Sequence, residues 1–245
     1  VINWEEMKDF QLAFFKSGLP HIDIPQDHSF VATLYKFADK HNIKYIINGG
    51  NFSTECCREP EEWGGYLGVD TWLVNDIQKK FGKIKLKNFP LVDILKYKFH
   101  YKYIYGIRSE FLLNYIPYTR ELAENTLKDL YGCEKFQHKH HESRFTRFYE
   151  DYWMPKKFGF DKRKAHFSSL IMTGQMSRSE ALDRVSNPEM DEQFLQQEFE
   201  YVANKLDLTS DQLHDIFEGQ NKTATDYRNK RRIIGFGANF LSVLG

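Results

Sequence analysis

No stretch of the chain approaches the roughly 18 consecutive apolar residues that a bilayer-spanning helix needs, so no transmembrane segment is expected. There is no excess charge of either sign: 34 Lys plus Arg face 34 Asp plus Glu. That balance argues against a global affinity for nucleic acid or for an anionic membrane, and leaves room only for a local basic patch. Cysteine is scarce, at three residues, and two of them are adjacent (Cys56, Cys57). Such a set builds no disulfide framework and fits a reducing, cytoplasmic setting. The first residues, Val1 to Glu6, have neither the basic start nor the apolar run of a secretory signal. The Gly-x-Ser-x-Gly elbow of serine hydrolases is absent, and no internal repeat, low-complexity tract or flexible linker stands out.

Material for a core is abundant. Aromatics make up 16% of the chain, with 21 Phe and 14 Tyr, and apolar residues make up 41% against 28% charged. This is the balance of a folded, globular protein. A length of 245 residues suggests one or two domains.

The N-terminal half reads as α/β. Asn3 and Glu6 have capping-box spacing ahead of a helix whose face carries Trp4, Met7 and Phe14, and Gly18 with Pro20 ends it. A second helix is expected from Asp27, with an apolar stripe of Phe30, Leu34, Phe37 and Ala38. Ile43 to Ile47 is β-branched and aromatic, the composition of a buried strand, and runs into Asn48-Gly49-Gly50-Asn51. Helix, strand and Gly-rich loop in succession indicate an open α/β sheet. Beyond it, helices are expected over Asp70–Phe81, Pro90–Tyr101, Thr119–Tyr131 and Asp161–Thr173, with Gly82, Gly132 and Gly174 as stops. Ser177/Glu180 and Thr209/Gln212 repeat the capping-box spacing. The second half is therefore mostly helical, and the boundary is placed near residue 115, giving domains 1–115 and 116–245.

Two stretches carry candidate chemistry. In open α/β folds, ligands bind beyond the carboxyl ends of strands. After the strand come Asn48, Gly49, Gly50, Asn51, Ser53 and Glu55. Paired glycines admit close backbone approach, Asn51 and Ser53 can hydrogen-bond a nucleotide, and Glu55 can hold a magnesium ion. A tight strand-to-helix turn with Glu55 as a solvated acid is the competing reading. The second stretch, His138 to His166, mixes Arg144, Arg147, Lys156, Lys157, Lys162, Arg163 and Lys164 with Phe145, Phe148, Tyr149, Tyr152, Trp153, Phe158 and Phe160. It suits a pyrophosphate-binding surface or a stacking groove for nucleic acid, and equally a solvated basic face over an aromatic core. His138, His140 and His141, with Cys133 nearby, match no standard zinc spacing. Cys133 lacks the context of an activated thiolate, and Gly235-Phe236-Gly237 lacks the rest of a dinucleotide fingerprint.

Five stretches together resemble the N-acetyl sugar amidotransferases of lipopolysaccharide, O-antigen and nonulosonic-acid (pseudaminic-acid) biosynthesis. They are QLAFFKSGLPHIDIPQDHSF (Gln11–Phe30), INGGNFSTE (Ile47–Glu55), FPLVDILKYK (Phe89–Lys98), HESRFTRFYEDYWMPKKFGFDKRKAHFSSLIMTGQMSRSEAL (His141–Leu182) and NKTATDYRNK (Asn221–Lys230). The resemblance implies an adenine-nucleotide hydrolase-like α/β fold of the PP-loop class, here a partial parallel-sheet domain followed by a helical region. It implies ATP and magnesium as cofactors, a nucleotide-linked N-acetyl sugar as substrate, and ammonia from partner glutaminase and ammonia-channel subunits. An acetamido group would become an acetamidino group. Asn48, Gly49, Gly50, Asn51, Ser53 and Glu55 would then shape the nucleotide and magnesium site. Lys156, Lys157, Lys162, Arg163 and His166 would serve the chemistry, and Arg144 and Arg147 the substrate. No nucleic-acid or membrane partner is expected.

The family's Ser-Gly-Gly-x-Asp-Ser loop and its cysteine-rich segment do not occur in this chain. The chain is therefore expected to be the C-terminal part of a longer protein, to bind ATP poorly by itself, and to expose an edge strand with apolar surface. Two other readings are a PP-loop enzyme that modifies tRNA and a non-catalytic module that docks a glutaminase.

Overall fold

The computed structural model describes residues 3–64, 69–134, 143–188 and 190–234. In chain order the elements are α1 (Trp4–Lys16), α2 (Ile24–Lys40), β1 (Tyr45–Ile47), α3 (Phe52–Glu55), α4 (Thr71–Phe81), β2 (Arg108–Glu110), α5 (Arg120–Tyr131), α6 (Arg144–Phe148), α7 (Met154–Phe158), α8 (Lys162–Met172), α9 (Arg178–Ser186), α10 (Glu192–Lys205) and α11 (Ser210–Glu218). Wider π-type turns form Lys96–Ile104 and join α6 to α7 over Tyr149–Trp153. Helix dominates. Among the described residues the strands form one parallel pair, with Tyr45 opposite Arg108, Ile46 opposite Ser109 and Ile47 opposite Glu110. The chain divides into two units, residues 1–44, 64–107 and 214–245 in one and 45–63 and 108–213 in the other. They interleave along the sequence.

The first unit is built on α1. Asn3 caps it by accepting the Glu5 N–H, one position earlier than the capping-box spacing suggested. Phe10, Phe14, Leu73, Val74, Ile77 and Phe89 form its core, with Phe10 edge-on to both Phe14 and Phe89. Buried Asp9 accepts the N–H groups of Lys83 and Ile84 and a bond from Gln78 Nε2, so the turn after α4 is tied to α1. Gly18 has φ +71°, and a Cβ there would lie 2.3 Å from the Gln220 carbonyl oxygen, so only glycine fits. The Tyr227 hydroxyl donates to the Ser17 carbonyl, and burial pushes its pKa up to about 12.

The second unit packs Phe148, Tyr149, Trp153 and Met154 inward from the run α6–α7, with Phe199 of α10 edge-on to Phe148. A satellite cluster of Phe167, Leu170 and Ala181 joins α8 to α9. The expected helices at α4, α5, α8, α9 and α11 are all present, with Asp70, Thr119, Asp161 and Ser177 as side-chain caps. Thr209 and Gln212 exchange both bonds of a capping box.

Three expectations change. α2 starts at Ile24, not Asp27, and its buried face is Ile24, His28, Ser29, Ala32 and Ala38. Phe30, Leu34 and Phe37 are each about half exposed. The face is chosen by close-packing small residues and by His28, whose Nε2 accepts the Val92 N–H at 2.9 Å. The strand at Ile43–Ile47 shortens to three residues and buries only Ile46, because a two-stranded sheet leaves Tyr45 and Ile47 uncovered. The helix expected from Pro90 begins only at Ile94 and widens into π-type turns. Finally, α10 and β2 carry no expectation in the sequence reading.

Candidate functional site

The loop after β1 is a folded strand–turn–helix. The Asn48 N–H donates to the Glu110 carbonyl at 2.8 Å, which extends the ladder by one bond. Asn48 Oδ1 then accepts the Gly50 N–H (2.8 Å), and Asn51 Oδ1 accepts the Thr54 N–H (2.9 Å) as the cap of α3. Phe52 N–H donates to Asn114 Oδ1, so the chain leaving β2 braces the chain leaving β1. A Cβ on Gly50 would lie 3.0 Å from the Phe111 ring and 3.3 Å from Glu55 Oε2, whereas Gly49 faces open space. The glycine pair thus serves close packing at its second member. Asn51 is buried, and its side-chain oxygen is committed to the cap. Ser53 Oγ donates to the Tyr118 carbonyl at 2.5 Å.

A cavity of about 280 Å³ lies within the second unit, where the α3 loop, the start of α5, the π-type turns after α6, and α8 and α9 converge. Of the residues singled out in the sequence, Glu55, Lys162, Arg163 and His166 line it. Lys162 and His166 are four apart on α8 and so share a face. Lys162 Nζ lies 3.3 Å from Glu150 Oε1 and 3.5 Å from Glu59 Oε1, with the Tyr149 ring 5.1 Å away. The remaining charged lining is Arg120, Asp151 and Arg184. Arg120 Nε bonds Glu124 at 2.7 Å, and Arg184 stacks 4.6 Å above the Phe167 ring. Basic and acidic residues therefore share the walls, together with Thr54 and Ser169.

Other candidates lie elsewhere or carry structure. Arg163 bonds both Asp161 oxygens and donates to the Arg184, Val185 and Asn187 carbonyls, which closes the C-terminal turn of α9. Arg144 and Arg147 both reach Glu198 of α10, a carboxylate only 1% exposed. The hydrogen bond to Glu198 raises the Arg144 guanidinium above its ordinary pKa. Lys156 and Lys157 lie on α7, outside the cavity lining. His138, His140, His141 and Gly235–Gly237 lie outside the described residues. Among the described residues there is no group of three His, Cys, Asp or Glu side chains placed to hold a metal. No helix of the described residues is long and apolar enough to cross a membrane.

The sequence reading missed Arg120, Glu150, Asp151, Glu59 and Arg184. Glu150-Asp151 had a local signal, as the one adjacent acidic pair inside the basic stretch. Arg120, Glu59 and Arg184 had none, because only the tertiary structure brings them to Lys162.

Residues 142–240 match the family described as LPS biosynthesis protein WbpG-like, C-terminal domain. Glu150, Lys162, His166 and Arg184 fall within the match, and Glu55, Glu59 and Arg120 before it. No curated protein and no solved structure matches the chain.

Proposed function

We propose that this chain acts in surface-polysaccharide biosynthesis by holding the sugar of a nucleotide-linked N-acetyl sugar for ATP-dependent amidation of its acetamido group. The single observation that carries the reading is the cavity, lined by charged side chains, that joins the Glu55 loop to Lys162 and His166. The similarity of residues 142–240 to an LPS-biosynthesis domain supports the role in polysaccharide biosynthesis.

The cavity's size fits part of such a substrate. At about 280 Å³ it lies just below the usual range of ligand sites, about 300 to 1,000 Å³. It has room for a sugar ring with its acetamido arm and not for a whole nucleotide sugar. A sugar presents hydroxyls that both donate and accept. Carboxylates (Glu55, Glu59, Glu150) and cations (Arg120, Lys162, Arg184) in one lining answer both kinds of demand.

The residues present do not form a triphosphate cradle. Lys162 sits between two carboxylates, the guanidinium of Arg163 is engaged by Asp161 and by three carbonyls at the end of α9, and Lys156 and Lys157 are outside the cavity lining. No step through ATP is therefore assigned to these side chains. Glu55 can contribute one oxygen to a magnesium ion that phosphates would otherwise ligate, which is how magnesium is usually held. What ATP supplies in this class of reaction is activation of the acetamido oxygen as a leaving group. This chain's part is to orient the acetamido carbon for attack by ammonia from a glutaminase partner. Within that part, Lys162 and His166 are placed to donate hydrogen bonds to the sugar or to the acetamido oxygen.

Calorimetric titration of the chain with UDP-N-acetylglucosamine tests the binding. Pyrophosphate release from ATP with that sugar and ammonium tests the reaction, comparing the chain alone with a form extended upstream by a Ser-Gly-Gly-x-Asp-Ser loop. Saturable sugar binding, and release in the extended form only, is the expected result. Absence of both would remove the assignment.

A further inference from the structure

Gln175 follows α8 just past Gly174, whose φ is +72°. It does not line the cavity, yet its side-chain amide joins three of the cavity's walls. Oε1 accepts the backbone N–H of Arg120 at 2.8 Å. Arg120 is the first residue of α5, and such N–H groups have no partner within their own helix. Nε2 donates to the Ser53 carbonyl at 2.7 Å and to Thr173 Oγ1 at 2.9 Å, and lies 3.3 Å from Ser53 Oγ. Thr173 Oγ1 adds its own bond to the Ser53 carbonyl at 2.8 Å. Further along the same helix, Ser169 Oγ accepts the Cys57 N–H at 2.9 Å. The C-terminal end of α8 thus grips the α3 segment at both ends, and through Gln175 it also grips the start of α5.

We propose that Gln175 is a positioning residue: through Ser53 and Arg120 it sets where Glu55 on α3 and the Arg120 side chain stand around the cavity, and so how well the sugar is held. The effect on sugar affinity rests on the reading of the cavity given above, while the effect on the walls does not. Gln175 lies outside the apolar cluster of Phe167, Leu170 and Ala181 that joins α8 to α9. Replacing it removes hydrogen bonds between walls and leaves that packing in place.

The test uses the full chain with Cys56 and Cys133 changed to Ser, so that Cys57, which lines the cavity, is its one thiol. Gln175→Met keeps the reach of the side chain and removes both donor and acceptor. Gln175→Glu keeps an acceptor for the Arg120 N–H and loses the donor to Ser53. Three quantities are measured: hydrogen exchange at the Arg120 amide, iodoacetamide alkylation of Cys57, and the Kd of UDP-N-acetylglucosamine. Gln175→Met is expected to speed both exchange and alkylation about tenfold and to raise the Kd about tenfold, the scale of one net hydrogen bond. Gln175→Glu is expected to restore Arg120 protection and leave Cys57 fast. A Gln175→Met protein with unchanged exchange and alkylation overturns the proposal, even if its melting temperature falls, because that is the signature of a merely structural side chain. If the unsubstituted protein does not bind the sugar, the sugar reading fails, while the exchange and alkylation rates still decide whether Gln175 sets the walls.

Discussion

Nη2 of Arg144 donates to Oε1 of Glu198 across 2.6 Å, although 54 residues separate the two in sequence. Arg147 reaches the other oxygen of the same carboxylate at 3.3 Å, and the Arg144 guanidinium lies 3.5 Å from the Tyr201 ring centroid. Two arginines that read as substrate ligands thereby fasten α6 to α10. Changing both to Ala leaves a buried carboxylate without its partners. We expect a loss of about 2–3 kcal/mol, below the figure for a fully buried pair because Arg144 is 46% exposed. The shift of the urea midpoint at pH 7 measures it. A double variant as stable as the parent would show that the pair does not hold α10.

Arg163 should behave in the same way for a different reason. Its guanidinium supplies donors to three carbonyls at the end of α9, which have no partners inside the helix. Arg163→Met is expected to destabilise the chain by about 2 kcal/mol. Arg163→Lys should recover little of this, since an ammonium cannot span the same fork. Thermal melts of the two variants would reveal any difference.

The glycine pair after β1 separates into two unequal positions. Gly50→Ala would push a methyl against Phe111 and Glu55, and a loss of about 1–3 kcal/mol is expected. Gly49→Ala meets nothing within 4 Å and should change stability by less than about 0.5 kcal/mol. Equal effects at the two positions, read from denaturant midpoints, would mean that the loop packs differently.

The lysines also separate. Lys162→Ala removes the cation between Glu59 and Glu150, which like charges would then push apart, and sugar affinity is expected to fall by at least about tenfold. Lys156→Ala with Lys157→Ala changes no residue that lines the cavity, so calorimetric sugar binding should stay within about twofold. Lost sugar binding in the α7 double variant would move the site.

A pH dependence follows from Asp93. Burial opposes its ionisation, but bonds from Lys230 Nζ, Thr71 Oγ1 and the Leu95 N–H outweigh that, and its pKa is held below the ordinary value. With the folded pKa depressed, its stabilising contribution is present above the unfolded carboxyl pKa of about 3.9 and is lost as pH falls through the folded value. Urea midpoints taken between pH 6 and pH 2.5 should fall steeply below about pH 4. Asp93→Asn should start from a lower stability at pH 6 and show a shallower decline. An identical slope in the variant would exclude this group as a contributor.

How much of this was legible beforehand depends on the range of the forces involved. Capping is local, so Asp70, Thr119, Asp161, Ser177 and Thr209 could be read as helix starts from a few residues of context. The turn at Asn48–Asn51 is likewise closed by its own side chains. Burial is not local. Phe30, Leu34 and Phe37 form a periodic apolar stripe, yet the tertiary structure buries the opposite face, through Ala32 and the bond from Val92 to His28. The same holds for the charges: a run of basic residues looks like a ligand surface until its carboxylate partners are known.

The sequence by itself determined the starts of α4, α5, α8, α9 and α11, the strand that meets a glycine turn, and which residue types could do chemistry, because each of these rests on contacts within a few residues. Only the tertiary structure decided which of those residues meet. It brought Glu55, Glu59 and Arg120 to Lys162 and His166, sent Arg144 and Arg163 to structural partners, and made Gln175 a link between walls. Those pairings join residues tens to more than a hundred positions apart, and their energies depend on distances that no local pattern encodes.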